Sequence, residues 1–509
     1  MNNYILIIDF GSQTTHLIGR KIRELGIDIK IVDPEDALKA VRENKPQGLI
    51  FSGGPSSVYE KGAPDVDQKI FKQNIPILGI CYGWQLIAQH LGGKVTSGHK
   101  EYGPANLKII KINPLLKNIE KINVVWLSHG DTVEKIPTGF QVWGSTENVA
   151  ATLVGNPQKN IYGVQFHPEI EHSQCGKQLL KNFVEKVCNL KTSAKKDYET
   201  DKIIKMIKEK VGDKKVICGV SGGVDSTVAA FLIGKAIGKN LYPVYIDSGL
   251  NRFGTTELVK KIFQQLLGID PIIVDARKEF LRKLKGVTEG EKKRKIIGKL
   301  YIDLFAREAK KLKGIDFLAQ GTIYSDVIES KGTKNASKIK SHHNVGGLPK
   351  SIKFQLLEPL RNFYKDEVRE IALKLGIPHN FVFQQKFPGP GYAIRIMGEV
   401  NDKRLRMVEQ ADRIVIEEIT NAGYYYKVFH SFAIMTGAFS TALKGDARKF
   451  REVIALRILE ATEEMTADWA KLPYAVIQKI SSRIINEVPD VSRIVYDVTT
   501  KPPATMEWE

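Results

Sequence analysis

Apolar residues in the first 190 positions come in short unbroken runs that end at glycine. YILIIDFGS after Asn3, GLIFSGGPSS around Leu49 and IPILGICYG around Leu78 each read as a buried parallel strand opening into a loop, with helical periods between them. The alternation predicts a three-layer α/β domain. It stops near residue 190 at NLKTSAKKDYET, a polar, lysine-rich interval with no apolar period, which reads as a linker. From about residue 200 the pattern restarts with a helix, the strand KVICGVSGG, the helix STVAAFLIGKAIG and the strand NLYPVYIDSG, a second α/β unit. Beyond the Pro-Gly cluster KFPGPGYAI near Pro388, alternating runs and the strand-like tail SRIVYDVTTKPPATMEWE predict a smaller α+β module. The expected fold class is therefore α/β: two doubly wound α/β domains over residues 1–190 and 200–390, then a small α+β domain over residues 391–509.

Composition narrows the setting. A chain of 509 residues is too long for one core, and 42% hydrophobic with 26% charged residues is the balance of an ordinary globular protein. The start MNNYILIIDFG lacks a basic segment and a small-residue cleavage site, and no run has the apolar length of a membrane span, so a cytoplasmic location without a membrane partner is expected. Cys81, Cys175, Cys188 and Cys218 have no metal-ligand spacing and are expected to be free thiols. The excess of 76 Lys and Arg over 57 Asp and Glu, a net charge of +19, favours anionic partners without choosing among them. No RNA-binding signature accompanies it, so nucleic acid is not among the expected partners.

Two motifs carry chemistry. In GICYGWQLIA, Cys81 falls where the strand Ile75 to Ile80 meets a helix beginning near Tyr82, the arrangement of a nucleophile elbow. Such a turn lifts the sulfur out of the sheet and sets it near a helix N-terminus, whose partial positive charge favours thiolate. A thiolate needs a base and an orienting acid, and GVQFHPEIEH supplies His167 and Glu169 just after another strand-like run. An oxyanion hole needs backbone N–H groups, which the glycine pair Gly53 and Gly54 in FSGGPSS can supply beside that of Tyr82. DFGSQ, SGGP, GICYGWQ, LSHGD and GVQFHPE stand in the order found in class I glutamine amidotransferases, and residues 4–188 resemble that family. The resemblance implies a Cys81, His167, Glu169 triad, oxyanion donors at Gly53 and Tyr82, and a glutamine site at Gln85, His129, Gly130 and Asp131. Cys175, Cys188 and Cys218 lack such a setting and are expected to be buried small hydrophobes.

The second motif is Ser221, Gly222, Gly223, Val224, Asp225 and Ser226, between the strand KVICGV and a helix. Backbone N–H groups in such a turn converge on an anion and the helix dipole adds to them. The loop lacks the Gly-Lys-Ser/Thr ending of kinase and GTPase loops, which favours a pyrophosphate cradle. It resembles the PP-loop of ATP pyrophosphatases, which implies ATP as co-substrate, split to AMP and pyrophosphate. Mg²⁺ should accompany the polyphosphate, with Asp326 and Glu329 in GTIYSDVIES as candidate ligands against the alternative of a solvated acidic face.

GTIYSDVIES, IKSHHNVGGLP, EPLRNFYKDEVR, KFPGPGYAIRIMGE, MTADWAKLPY and RIINEVPDVSRIVYDVTTKPPATMEWE together resemble the GMP synthetase family over nearly all of residues 200–509. The resemblance implies conversion of glutamine, ATP and xanthosine monophosphate to glutamate, AMP, pyrophosphate and GMP, with no tightly bound organic cofactor and a C-terminal domain that forms a homodimer. It further implies xanthylate contacts from Arg294, Arg493, Lys501 and Glu507, and a lid over ATP from the segment holding Lys338, Lys340, His342 and His343. The sequence departs from the family at Ser325, where proline is usual, at Gln384 to Lys386, where Arg-His-Pro is usual, and at His430, where glutamine is usual. The alternative reading is a PP-loop enzyme that aminates or thiolates another acceptor, such as tRNA.

Overall fold

All five residues of the first strand, Tyr4–Ile8 (β1), are buried, because each face of the strand meets its own apolar layer. Ile5 and Ile7 pack with Ile18, Ile22, Leu179 and Leu180 on one side, while Leu6 and Ile8 pack with Val41, Trp84 and Ile87 on the other. Strands β2 (Asp28–Val32), β3 (Gly48–Phe51), β4 (Ile77–Ile80), β5 (Lys94–Ile109), β6 (Ile122–Lys135), β7 (Gln141–Ser145), β8 (Leu153–Asn156) and β9 (Ile161–Val164) complete a sheet of order β2-β1-β3-β4-β9-β8-β7-β5-β6. The five strands from β2 to β9 are parallel, as expected of a doubly wound domain. The remaining four continue the sheet antiparallel, which the strand-helix alternation does not predict. Their cause is visible in β6, whose burial alternates residue by residue, the period of a strand with one covered face.

The structure is a computed structural model and describes residues 4–12, 14–193, 200–331, 354–444, 447–461, 467–501 and 503–509. They fall into two compact units, one of residues up to 193 together with residues 328–331, the other of residues 200–327 and 354–509. In the second unit β10 (Lys215–Val220), β11 (Leu241–Asp247), β12 (Ile272–Asp275), β13 (Ile315–Ala319) and β14 (Gln355–Leu357) form an all-parallel sheet of order β12-β11-β10-β13-β14. The strand order reverses beside β10, and open α/β sheets bind ligands at the carboxyl ends of strands at such a switch point. The predicted anion loop follows β10 directly.

β15 (His430–Lys444), β16 (Ala447–Glu460), β17 (Asp468–Trp469) and β18 (Val491–Tyr496) form a second, mixed sheet, with β15 antiparallel and β18 parallel to β16. One apolar core joins the two sheets of this unit: Ile217 and Val244 of the parallel sheet share it with Val408 and Ile414 of the helix Asp402–Asn421 and with Ile454 and Leu456 of β16. Residues after 391 are thus packed onto the five-stranded parallel sheet. Among the described residues no helix is long and apolar enough to cross a membrane.

Candidate active sites

Cys81 sits between β4 and the helix Tyr82–His90 with φ +49° and ψ −109°, a conformation that costs a non-glycine residue about 1–3 kcal/mol and is retained only where the surroundings over-determine it. Two backbone bonds hold the turn: Cys81 N donates to Val164 O at 2.8 Å and Gly83 N donates to Ser52 O at 3.0 Å. Gly83 is required by close approach, since a Cβ there would stand 2.4 Å from Phe51 O. Tying Gly83 to Ser52 brings the elbow beside Gly53, and a Cβ at Gly53 would lie 3.1 Å from His167 Cε1. The predicted oxyanion residues Gly53 and Tyr82 therefore flank the same sulfur-bearing turn.

His167 follows β9 and is fixed through its backbone, with its N–H donating to Trp126 O at 3.0 Å and its carbonyl accepting from Ser173 Oγ at 2.6 Å. Its Nδ1 donates to Glu169 Oε1 at 2.8 Å, and the Glu169 side chain is fully buried. Burial alone would depress His167, but the Glu169 carboxylate and the hydrogen-bonding Cys81 sulfur outweigh it and hold the imidazole well above its usual 6.5. Thr14, unmarked by the sequence reading, donates from Oγ1 to Glu169 Oε1 at 2.6 Å. It stands at the N-cap of the helix Thr15–Arg23 yet makes no capping bond, so its hydroxyl serves the carboxylate instead.

Gln85 and Asp131 are brought together, with Gln85 Nε2 donating to Asp131 O at 2.8 Å and Tyr59 OH donating to Asp131 Oδ1 at 2.9 Å. Gly130 lies between Asp131 and His129 on β6. His129 Nε2 is 3.4 Å from Glu101 Oε2 on the facing residue of β5, and burial lowers its pKa despite that carboxylate. Cys175 and Cys218 are buried and pushed up to about 12 by burial, and Cys188 is raised likewise. All three are buried free thiols, as expected.

The anion loop turns at Gly222, where φ is +80° and a Cβ would stand 2.5 Å from Thr255 Cγ2. Its hydroxyls bond within the loop. Ser221 N donates to Ser226 Oγ at 3.1 Å, and Ser226 Oγ donates to Gly223 O at 3.2 Å. The helix Val224–Ile237 begins at Gly223 with no side-chain cap, which leaves its amino end to meet an anion. Asp225 is gripped through both carboxylate oxygens by Lys365 Nζ at 2.7 Å, a lysine the sequence reading passed over. Asp326 Oδ2 accepts from Ile323 N at 3.0 Å and so closes the start of its own helix, Tyr324–Lys331. The Glu329 side chain and the lid residues Lys338, Lys340, His342 and His343 lie outside the described residues. Among the described residues no three His, Cys, Asp or Glu side chains cluster as a metal site.

Of the tail residues expected at the acceptor, Glu507 meets a buried cation. Glu507 accepts from Arg395 Nε and Nη2, each at 3.1 Å, and Arg395, fully buried, also donates to Asp412 Oδ1 at 3.4 Å and lies over the Phe432 ring at 4.0 Å. His430 Nε2 stands 3.2 Å from Arg395 Nη2 and 2.8 Å from Lys386 O. Burial, with the charges of Arg395 and Arg252, holds His430 well below 6.5 and neutral. Arg294 Nη2 donates to Glu509 O, while its neighbour Lys293 donates to Glu509 Oε2 at 2.6 Å. Lys501 and Ala467 exchange backbone hydrogen bonds of 2.8 and 3.0 Å. Arg493 is exposed on β18. Arg457 gathers the tail by donating to Asp497, Thr499, Thr505 and Met506. Gln384, one of the departures, donates from Nε2 to Gly222 O at 3.1 Å and so touches the anion loop itself.

Three family models match the chain: glutamine amidotransferase class-I over residues 6–187, NAD synthase over residues 198–299, and GMP synthase C terminal domain over residues 417–508. The chain is 49% identical over 507 residues to the glutamine-hydrolyzing GMP synthase of Brachyspira hyodysenteriae, covering 99% of each chain. It is 49% identical over 506 residues to that of Clostridium botulinum strain Langeland, again covering 99% of each, and 47% identical over 510 residues to that of Carboxydothermus hydrogenoformans, covering 100% of each.

Proposed function

Because the chain belongs to the glutamine-hydrolysing GMP synthases, we propose that residues 1–190 release ammonia from glutamine, residues 200–390 adenylate xanthosine monophosphate, and residues 391–509 hold that acceptor and form a homodimer. The products are glutamate, GMP, AMP and pyrophosphate. The observation that carries the reading is Cys81 at a strained elbow beside His167, whose Nδ1 donates to the buried Glu169 carboxylate at 2.8 Å.

In the glutaminase half the Cys81 thiolate attacks the side-chain carbonyl carbon of glutamine. The oxyanion that forms lies toward the N–H groups of Gly53 and Tyr82, while His167 passes its proton to the departing ammonia. Water, deprotonated by His167, then cleaves the thioester to glutamate. Gln85, His129, Gly130 and Asp131 hold the substrate in this reading. In the synthetase half the C2 oxygen of the xanthine attacks the α-phosphorus of ATP and pyrophosphate leaves into the cradle of Ser221 to Ser226. Ammonia then adds at C2 and AMP departs.

Mg²⁺ fits as a companion of ATP, since Mg²⁺ commonly binds through substrate phosphates plus one or two carboxylates. Asp326 and Glu329 are the carboxylates that would hold it, and the ion would supply charge to offset the polyphosphate. Arg294, Arg493, Lys501 and Glu507 are assigned to the xanthylate, and Lys340, His342 and His343 to a lid. Exposed apolar side chains on the β15–β16 hairpin, Phe439, Leu443 and Phe450, support a homodimer. The four free thiols suit a reducing cytoplasm.

The test is to incubate the protein with ATP, Mg²⁺ and xanthosine monophosphate, supplying either ammonium or glutamine. GMP, AMP and pyrophosphate should form with both donors, and the Cys81→Ala variant should retain the ammonium reaction alone. Xanthosine monophosphate left untouched with ammonium would overturn the acceptor, and parental glutamine hydrolysis by Cys81→Ala would overturn the nucleophile.

A further inference from the structure

β4 and β9 are parallel neighbours with Ile80 opposite Val164, so the next residues along each strand, Cys81 and Gln165, leave the sheet side by side. The bond from Cys81 N to Val164 O at 2.8 Å locks that register. The Gln165 side chain is fully buried, its backbone N–H donates to Thr152 O at 2.8 Å, and its Nε2 points at the Cys81 sulfur from 3.7 Å. Its Oε1 is buried with no hydrogen-bond partner among the described residues.

A carboxamide is a poor choice for such a place if packing alone is served, since a buried carbonyl without a donor is destabilising and leucine or methionine would fill the volume. The amide earns its position at its other end. As a thiol, Cys81 donates to Ser128 O at 3.7 Å. Once ionised, the sulfur can no longer donate to that carbonyl oxygen and calls for a donor of its own. The Gln165 Nε2–H is such a donor, and hydrogen bonds to an ionised acceptor are the stronger kind. We infer that Gln165 is a further catalytic residue of the glutaminase half, donating from Nε2 to the Cys81 thiolate and to the thiolate that is released again when the thioester is cleaved. The inference rests on Cys81 being the nucleophile.

The test is the pH dependence of iodoacetamide alkylation of the full chain, which follows the thiolate, with Cys81→Ala as the blank for the three other cysteines. In Gln165→Leu the pH of half-limiting alkylation should rise by about one unit, and glutamine kcat should fall about tenfold at neutral pH with KM for glutamine changed less than twofold. Gln165→Glu, which sets a carboxyl group against the sulfur, should raise that pH further. The same thermal transition in parent and variants establishes that the fold is kept. If Gln165→Leu fails to fold, Gln165→Glu alone decides. An alkylation profile that coincides with the parent's in the folded variants overturns the inference, whereas glutamine hydrolysis by Cys81→Ala would instead overturn the underlying nucleophile assignment.

Discussion

At the scale of single residues, the carboxylate of Glu169 decides how the glutaminase site titrates. Burial pushes His167 toward the neutral form, and the raised pKa exists only because Glu169 and Cys81 oppose that push. In Glu169→Gln the burial remains and the main opposing charge is gone, so the pH at which the imidazole loses its proton must fall. We expect kcat for glutamine to drop about 10²- to 10⁴-fold, the range seen when a triad acid is neutralised, with the kcat–pH profile displaced to lower pH. An undisplaced profile would mean that Glu169 acts on packing alone. His430 has the opposite sign. Unfolded, it takes up a proton near 6.5, whereas in the fold burial first and the Arg395 and Arg252 charges next keep it neutral well below that value. Its contribution to stability is fully present above pH 6.5 and is lost as pH falls below it, by at most about 1.4 kcal/mol per unit. His430→Gln should therefore lose less stability than the parent between pH 7.5 and 5.5, read from urea unfolding at each pH.

Among the elements, the tail after β18 is where side chains rather than strands do the holding. Fully buried Arg457 donates to Asp497 Oδ2 at 2.5 Å and to three backbone carbonyls between Thr499 and Met506, and Arg395 grips Glu507 with two parallel bonds. Lysine keeps the charge at position 457 but cannot serve four acceptors from a planar fork. Arg457→Lys should raise KM for xanthosine monophosphate about tenfold, equivalent to about 1.4 kcal/mol, while leaving KM for ATP within twofold. An unchanged acceptor KM would remove the tail from acceptor binding. The same segment marks where sequence reading ran out. Cys81, His167 and the Ser221 to Ser226 loop were legible because each stands at the end of an apolar strand run, and the register of a parallel sheet then fixes where it emerges. The antiparallel extension of the first sheet was missed because β5 and β6 are long, half-polar and interrupted by register shifts. Arg395, Arg457, Lys365 and Thr14 were missed because their partners lie 155, 140, 112 or 40 residues away, and no local pattern encodes such pairs.

For the whole molecule, two chemistries occupy one chain, each built on its own sheet and its own core. Nothing in the proposed Cys81 site requires ATP: the residues proposed as nucleophile, base and acid all come from residues 81–169. Ammonia made there without an adenylated acceptor would be lost to solvent, so an unregulated glutaminase would waste glutamine in proportion to its rate. The second unit is the one proposed to bind acceptor and ATP, and its anion loop, through Gln384, and its tail, through Arg395 and His430, meet in the short stretch from Gln384 to Lys386. In the proposed reading, the two nucleotide sites thus border one connected set of hydrogen bonds. Binding energy spent there can bias the rest of the chain only if the filled and empty states differ in their effect on the first unit. The expected outcome is that glutamine hydrolysis, followed as glutamate release, rises when ATP, Mg²⁺ and xanthosine monophosphate are supplied together, by the 5- to 150-fold that a coupling of about 1–3 kcal/mol gives. ATP alone or xanthosine monophosphate alone should give less than the pair, because the adenylate needs both. Equal glutamate release with and without the nucleotides would mean that the two halves of the chain work independently.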